Sequence, residues 1–234
     1  GADDVGADAI IVHDIGLARV LRRLLPDTPL HGDAHMGIND LGGLHAASEL
    51  GLSRVVLASE LPRESIRRLC ERSPVPLGVV AQGESCVSES GLCYLSSVAS
   101  GRSAGRGLCD RRCQGDYSLG GRKDDHPLQM KDLCLLEHVS ELEAMGVDAC
   151  ILEGRGNRPE ITGLLTNVYY NAIRNRKQPT AEQLALLQEA LSSEGFTDGY
   201  YTDRKGPDMF GVHTPPDSRA YVRALSALRR DYTQ

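Results

Sequence analysis

Gly6-Ala7-Asp8-Ala9-Ile10-Ile11-Val12 and Gly146-Val147-Asp148-Ala149-Cys150-Ile151-Leu152 share one arrangement: a glycine, a nearby aspartate, then a short apolar run. Glycine ends helices because it accepts the left-handed backbone, and an apolar run this short reads as a buried strand. Pro29-Leu30-His31, Arg54-Val55-Val56-Leu57-Ala58 and Leu77-Gly78-Val79-Val80 fit the same description, which makes five strands. Helical patterns lie between them. Asp14 is placed to cap a helix whose Leu17, Val20, Leu21 and Leu24 fall on one face, expected to be buried. Leu41 to Leu50 stops at Gly51, and Pro62 stands where a first-turn proline is tolerated, ahead of Ile66 and Leu69. Ile161, Leu164, Leu165 and Val168 mark a helix after the fifth strand, and Thr180 with Gln183 has the spacing of a capping box. Such regular alternation predicts an α/β fold with a parallel sheet and right-handed crossovers.

The 234 residues allow a sizeable core, and 41% apolar with 25% charged residues is a globular balance. Lys plus Arg number 26 against 32 Asp plus Glu, so the net charge of -6 argues against a globally basic nucleic-acid binder. No stretch approaches the ~18 apolar residues of a spanning helix, and the first residues lack a basic region ahead of an apolar run. A cytoplasmic protein without a membrane partner is therefore expected. An odd number of cysteines, seven, fits a reducing compartment and metal or thiol chemistry rather than a disulfide framework.

Residues 83–126 break the rhythm, being rich in Ser, Gly, Cys and Arg, and read as a functional insertion after the fourth strand. Cys86, Cys93, Cys109 and Cys113 have the spacing C-x6-C-x15-C-x3-C, with glycines that permit tight turns. Four thiolates suit tetrahedral zinc or an iron-sulfur cluster and exclude magnesium and calcium, and spacing leaves the two open. Cys70 and Cys134, in helical patterns, and Cys150, in a strand, read as small core residues. Gly101 to Lys123 holds six basic residues, Arg102, Arg106, Arg111, Arg112, Arg122 and Lys123, against Asp110 and Asp116. These arginines either neutralise the thiolate site or bind an anion such as an RNA backbone, with Arg102 and Arg106 as the anion-binding candidates.

In parallel α/β folds the residues just past the strands' C-terminal ends gather on one face. Here these are His13 and Asp14, Asp33 and His35, Glu60, Gln82 with Glu84 and Cys86, and Glu153 with Arg155. Asp14 reads as a helix cap. Asp33, His35, Glu60, Glu153 and Arg155 are substrate-binding candidates, with Lys131 and Asp132 behind them, and Gly154 would let the backbone approach a ligand. No phosphate-binding G-x4-G-K-[ST], H-E-x-x-H or G-x-S-x-G is present. Clustered thiols suit a cysteine protease poorly, since a metal-bound thiolate is not free to attack. No catalytic residue is assigned.

The run Cys86-Val87-Ser88-Glu89-Ser90-Gly91-Leu92-Cys93, with Gly101-Arg102-Ser103-Ala104, Arg106-Gly107-Leu108-Cys109 and Cys113, resembles the signature of peptidase family U32, the collagenase-like proteins. Met130-Lys131-Asp132-Leu133-Cys134-Leu135 and Glu153-Gly154-Arg155 support the resemblance, which covers roughly residues 6–211. It implies a TIM-type barrel, a peptidase label and, as in several bacterial members, a 4Fe-4S cluster on the four cysteines. Those members serve in oxygen-independent hydroxylation of ubiquinone precursors or of a ribosomal or transfer RNA base. The Gly101-Arg102-Ser103 and Arg106-Gly107 run resembles the subgroup acting on ribosomal RNA. Where the family carries His-Gly this chain has Gln82-Gly83, and where it carries Ser-Thr-Gln-Met this chain has Asp33-Ala34-His35-Met36.

With about five βα units, residues 1–211 are expected to form a partial TIM-type barrel carrying the cysteine loop at 83–126, followed by a helical tail over 212–234. About three units are missing by the barrel's count of eight, as in a fragment. The reading is an iron-sulfur enzyme or factor in hydroxylation of RNA or a small aromatic precursor. The competing readings are a peptidase acting on peptides and a non-catalytic module folded by zinc on four cysteines.

Overall fold

A computed structural model describes residues 6–124, 126–154, 157–191, 195–211, 222–223 and 226–227, without the side chains of 119 and 122–124. The five expected strands are present as β1 (Ile10–Val12), β2 (Leu30–Gly32), β3 (Arg54–Val56), β4 (Leu77–Gly83) and, late in the chain, β8 (Ala149–Leu152). Helices α1 (Ile15–Leu24), α2 (Leu41–Glu49) and α3 (Arg63–Cys70) alternate with the first four. Asp14 accepts from the Leu17 amide at 2.7 Å and Asp40 from the Gly43 amide at 2.7 Å, each satisfying a donor that a helix start leaves free. Gly51 and Gly146 end helices at φ of 83° and 87°, the left-handed backbone that a glycine adopts without strain.

Strands β1, β2, β3, β4 and β8 pair in parallel in that order, and Arg54 Nε holds Asp148 at 2.7 Å where β3 and β8 begin. Two further strands make the sheet mixed: β7 (Asp132–Cys134) runs antiparallel against Gln82 and Gly83 at the end of β4, and β9 (Phe196–Thr197) runs parallel to β7. The expectation of a purely parallel sheet is corrected here. Cys134, expected in a helix, lies in β7, where Lys131 and Asp132 break the apolar run that would have marked a strand. The insertion holds a short helix, α4 (Leu95–Ser100), and a hairpin, β5 (Tyr117–Leu119) with β6 (Arg122–Asp124), that turns at Gly120 and Gly121. Among the described residues β1 pairs with β2 alone and β8 with β4 alone, so these pairings form an open sheet and not a closed barrel.

The core joins sheet residues Val55, Leu57, Leu77, Val79 and Ala81 to the helices. The largest helix, α6 (Pro159–Arg174), buries Ile161, Leu164, Leu165 and Val168 as their spacing requires, together with Tyr169 and Ala172. In α5 (Val139–Ala144) Val139 and Leu142 are buried, and in α7 (Ala181–Leu191) Leu187 and Ala190. Thr180 and Gln183 exchange hydrogen bonds of 3.0 and 3.1 Å, completing the capping box. The expectation for α1 holds only in part. Ala18 is fully buried and Leu21 packs partly buried against the core, while Leu17, Val20 and Leu24 are exposed, because the helix turns the Ala18-Leu21 side to the core. Cys70, Cys134 and Cys150 pack against the core as small apolar residues. Most of the tail expected to be helical lies outside the described residues.

Candidate functional site

Four strand ends deliver their next residues to one cavity of about 170 Å³. Asp33 and His35 follow β2, Ser59 and Glu60 follow β3, Glu84 and Cys86 follow β4, and Glu153 follows β8. Val80, Leu133 and Ile151 supply apolar lining, and Tyr200, three residues past β9, reaches the same cavity.

All four clustered cysteines line this cavity, and all are free thiols. Burial, followed by the proximity of the other cluster thiols, pushes the Cys86 and Cys113 thiols up. A thiol so placed is protonated at neutral pH and a poor nucleophile unless a metal ionises it. Among the described residues no three or more His, Cys, Asp or Glu are gathered as ligands of a single metal ion.

The segment from Cys86 to Cys93 has no helix or strand of its own and turns at Ser90-Gly91, closed by a 3.0 Å bond from the Leu92 amide to the Glu89 carbonyl. Gly91 has φ of 79°, which the second central residue of a type II turn requires, and a Cβ there would overlap the His35 carbonyl. Glu60 takes the turn with both oxygens, accepting from the Ser90 amide at 2.8 Å and the Ser90 hydroxyl at 2.7 Å. Cys109 and Cys113 belong to a different network. Between them, Asp110 accepts from Ser100 and from Arg102 at 2.8 Å, pairs with Arg112 at 3.6 Å, and donates its amide to Ser96 Oγ at 3.0 Å. Ser100, with Arg102 and Arg112, holds the Asp110 carboxyl below the usual range. Arg111 reaches Glu84 at 2.8 Å and ties this half to the end of β4.

His35 Nδ1 lies 2.7 Å from Asp33 Oδ2. This bond raises the imidazole pKa, helped by the charges of Glu153 and Glu60. Burial would raise Asp33, but His35 outweighs it and holds the carboxyl below its usual value. Burial pushes Glu153 up, with Glu84 adding to the effect and His35 opposing it. The Glu153 side chain lies across Gly83 so closely that an added Cβ would overlap its carboxyl. Gly154 packs closely on Thr162: a Cβ would meet Thr162 Cγ2 at 2.8 Å, and its carbonyl accepts from Thr162 at 3.2 Å.

Asp33, His35, Glu60 and Glu153 thus share a cavity with the four cysteines, whereas Lys131 and Asp132 lie off it, Asp132 being buried in β7. Arg155 lies outside the described residues. Gln82 is buried against Tyr169, and His13 and Asp14 do not line the cavity. Arg102 is committed to Asp110, while Arg106 is exposed outside the cavity. Three contributors carried little sequence signal. Ser90 is one serine among many, Asp110 gains its role from partners 2 to 14 residues away, and Tyr200 follows a strand of only two residues.

The sequence pattern of peptidase family U32 matches residues 2–210. The chain is 30% identical over 182 residues to tRNA hydroxylation protein P1 of Bacillus subtilis, covering 73% of this chain and 43% of that protein. It is 33% identical over 159 residues to the 23S rRNA 5-hydroxycytidine synthase of Escherichia coli, covering 64% and 23% respectively. A collagenase of Porphyromonas gingivalis is 27% identical over 210 residues, covering 74% of this chain and 51% of that protein. The chain therefore spans between about a quarter and about half the length of these relatives. No solved structure matches it. A family match over nearly the whole described chain, with the cysteine segment and four strand ends on one cavity, establishes that the chain belongs to peptidase family U32.

Proposed function

We propose that this chain is part of an iron-sulfur protein that hydroxylates RNA, its five parallel βα strands forming part of a TIM-type barrel. The observation that carries the reading is the meeting of Cys86, Cys93, Cys109 and Cys113 on the cavity that Asp33, His35 and Glu153 also line. The donor set fits the group: four soft thiols on one cavity are what a 4Fe-4S cluster needs, and they would hold it. When bound, a cluster would supply one-electron chemistry.

The chain's own residues do the rest. Asp33 fixes the proton of His35 on Nδ1, which leaves Nε2 available to a bound molecule. Burial raises the Glu153 pKa, and its carboxyl oxygens face the same cavity as acceptors for a bound molecule. Val80, Leu133, Ile151 and Tyr200 offer apolar and aromatic surface to a ring. Asp33, Glu60, Glu84, Glu89 and Glu153 line the cavity against Arg112, so it repels phosphate and favours an uncharged ring. Phosphates would stay outside, near Arg106 on the insertion. Relatives named for tRNA hydroxylation and rRNA 5-hydroxycytidine synthesis support this reading over a peptidase. The raised Cys86 and Cys113 thiols also lack the character of a nucleophile.

Nucleoside mass spectrometry of RNA from cells with and without the gene tests the proposal. A hydroxylated nucleoside should disappear on deletion, return with the wild-type gene and stay absent with Cys109→Ser. Unchanged nucleosides on deletion, with peptide cleavage by the purified protein, would replace this reading with the peptidase one.

A further inference from the structure

We infer that Glu60 is a positioning residue for the metal centre: by gripping Ser90 with both carboxylate oxygens it sets where Cys86 and Cys93 stand relative to each other and to the end of β3. The inference rests on the reading that the four cysteines hold a metal group. The loop between these two cysteines has no secondary structure of its own, so its shape depends on what holds its tip. That tip is Ser90-Gly91. Ser90 gives its amide and its hydroxyl to the two oxygens of Glu60, at 2.8 and 2.7 Å, and its Oγ accepts from the Ser59 amide at 3.3 Å. Hydrogen bonds to an ionised carboxylate are stronger than neutral ones, and a two-oxygen grip also fixes direction. Gly91 meanwhile sits against the His35 carbonyl, where no side chain fits. The turn is thus held between the residues following β2 and those following β3, while Cys86 is anchored by β4 itself. With both oxygens engaged by Ser90, Glu60 serves the loop rather than a substrate.

The other two cysteines provide an internal comparison, since Asp110 holds their segment with no contribution from Glu60. Loosening Glu60 should therefore free the half-buried Cys93 and leave Cys109 and Cys113 as they are. The test uses the full chain, with Glu60→Ala, Glu60→Gln, Ser90→Ala and Asp110→Asn compared with wild type. Metal-free protein is treated with iodoacetamide, and the alkylation rate at each cysteine is read by peptide mass spectrometry. Bound iron, sulfide and zinc are measured after anaerobic reconstitution, and far-ultraviolet circular dichroism reports the fold.

Glu60→Ala should speed alkylation of the half-buried Cys93 about tenfold, the effect of losing roughly one hydrogen bond's worth of local stability, with the already exposed Cys86 changing less and Cys109 and Cys113 unchanged. Glu60→Gln keeps one acceptor and should fall between wild type and Glu60→Ala. Asp110→Asn should show the reverse selectivity. Metal content should drop in step with alkylation. Equal acceleration at all four thiols, or none in a folded Glu60→Ala protein, would overturn the positioning role. A wild-type chain that takes up no metal would remove the reading underneath it, and the alkylation pattern separates that failure from failure of the clamp.

Discussion

The bond between Asp33 and His35 makes a pH-dependent prediction whose sign follows from which partner is shifted which way. His35 is raised above its ordinary 6.5, so its contribution to stability is complete below that value and is lost as pH climbs through the raised one. Asp33 is lowered from 3.8, so its contribution is present above that value and is lost as pH falls through the lowered one. Both contribute between these ordinary values. The imidazole is 56% exposed, which limits the pair to about 1 kcal/mol or less. Urea unfolding of wild type and His35→Asn should show the wild type more stable at pH 5.5, with the gap closing toward pH 9. A gap that widens with pH would contradict the assignment. The chemistry of this pair was legible because both residues follow a strand end by one to three positions. The grip of Glu60 on Ser90 was not, since it joins residues 30 apart whose types occur throughout the chain.

Five strands of the sheet could be read from the sequence because each couples an apolar run to a turn or helix boundary, a signal carried by neighbouring residues. The strands at Asp132–Cys134 and Phe196–Thr197 give no such signal, having no apolar run beside a helix-end glycine and being defined by the partners they meet. Periodicity likewise told that α1 and α6 are helices but not which side each would bury. In α6 the apolar positions and the core coincide, whereas in α1 Ala18 faces the core and Leu24 is 70% exposed. Denaturant unfolding should separate them. Leu24→Lys should change stability by no more than about 0.5 kcal/mol, and Leu165→Ala should cost about 2 to 5 kcal/mol. Equal losses would mean that α1 packs its leucines after all.

At the scale of the whole molecule, the sheet's arrangement places the residues after β2, β3, β4 and β8 beside the cysteine insertion, and the family membership gives this meeting its context. The alternation of strands and helices announced that face, and the turn through Ser90-Gly91 that returns Cys93 toward Cys86 was legible from the glycine. The identity of the metal was not, because four thiols and their spacing serve zinc and iron-sulfur alike. No described helix is long and apolar enough to cross a membrane. The central claim is that one cluster sits on four thiols from two separately held loop segments. Iron and acid-labile sulfide per chain after anaerobic purification and reconstitution test it most directly, on wild type and on Cys109→Ser beside Cys70→Ser. The account predicts about four irons and four sulfides in wild type and Cys70→Ser, with broad visible absorption, and loss of both in Cys109→Ser. A colourless wild-type protein holding a single zinc, or full iron in Cys109→Ser, would contradict it.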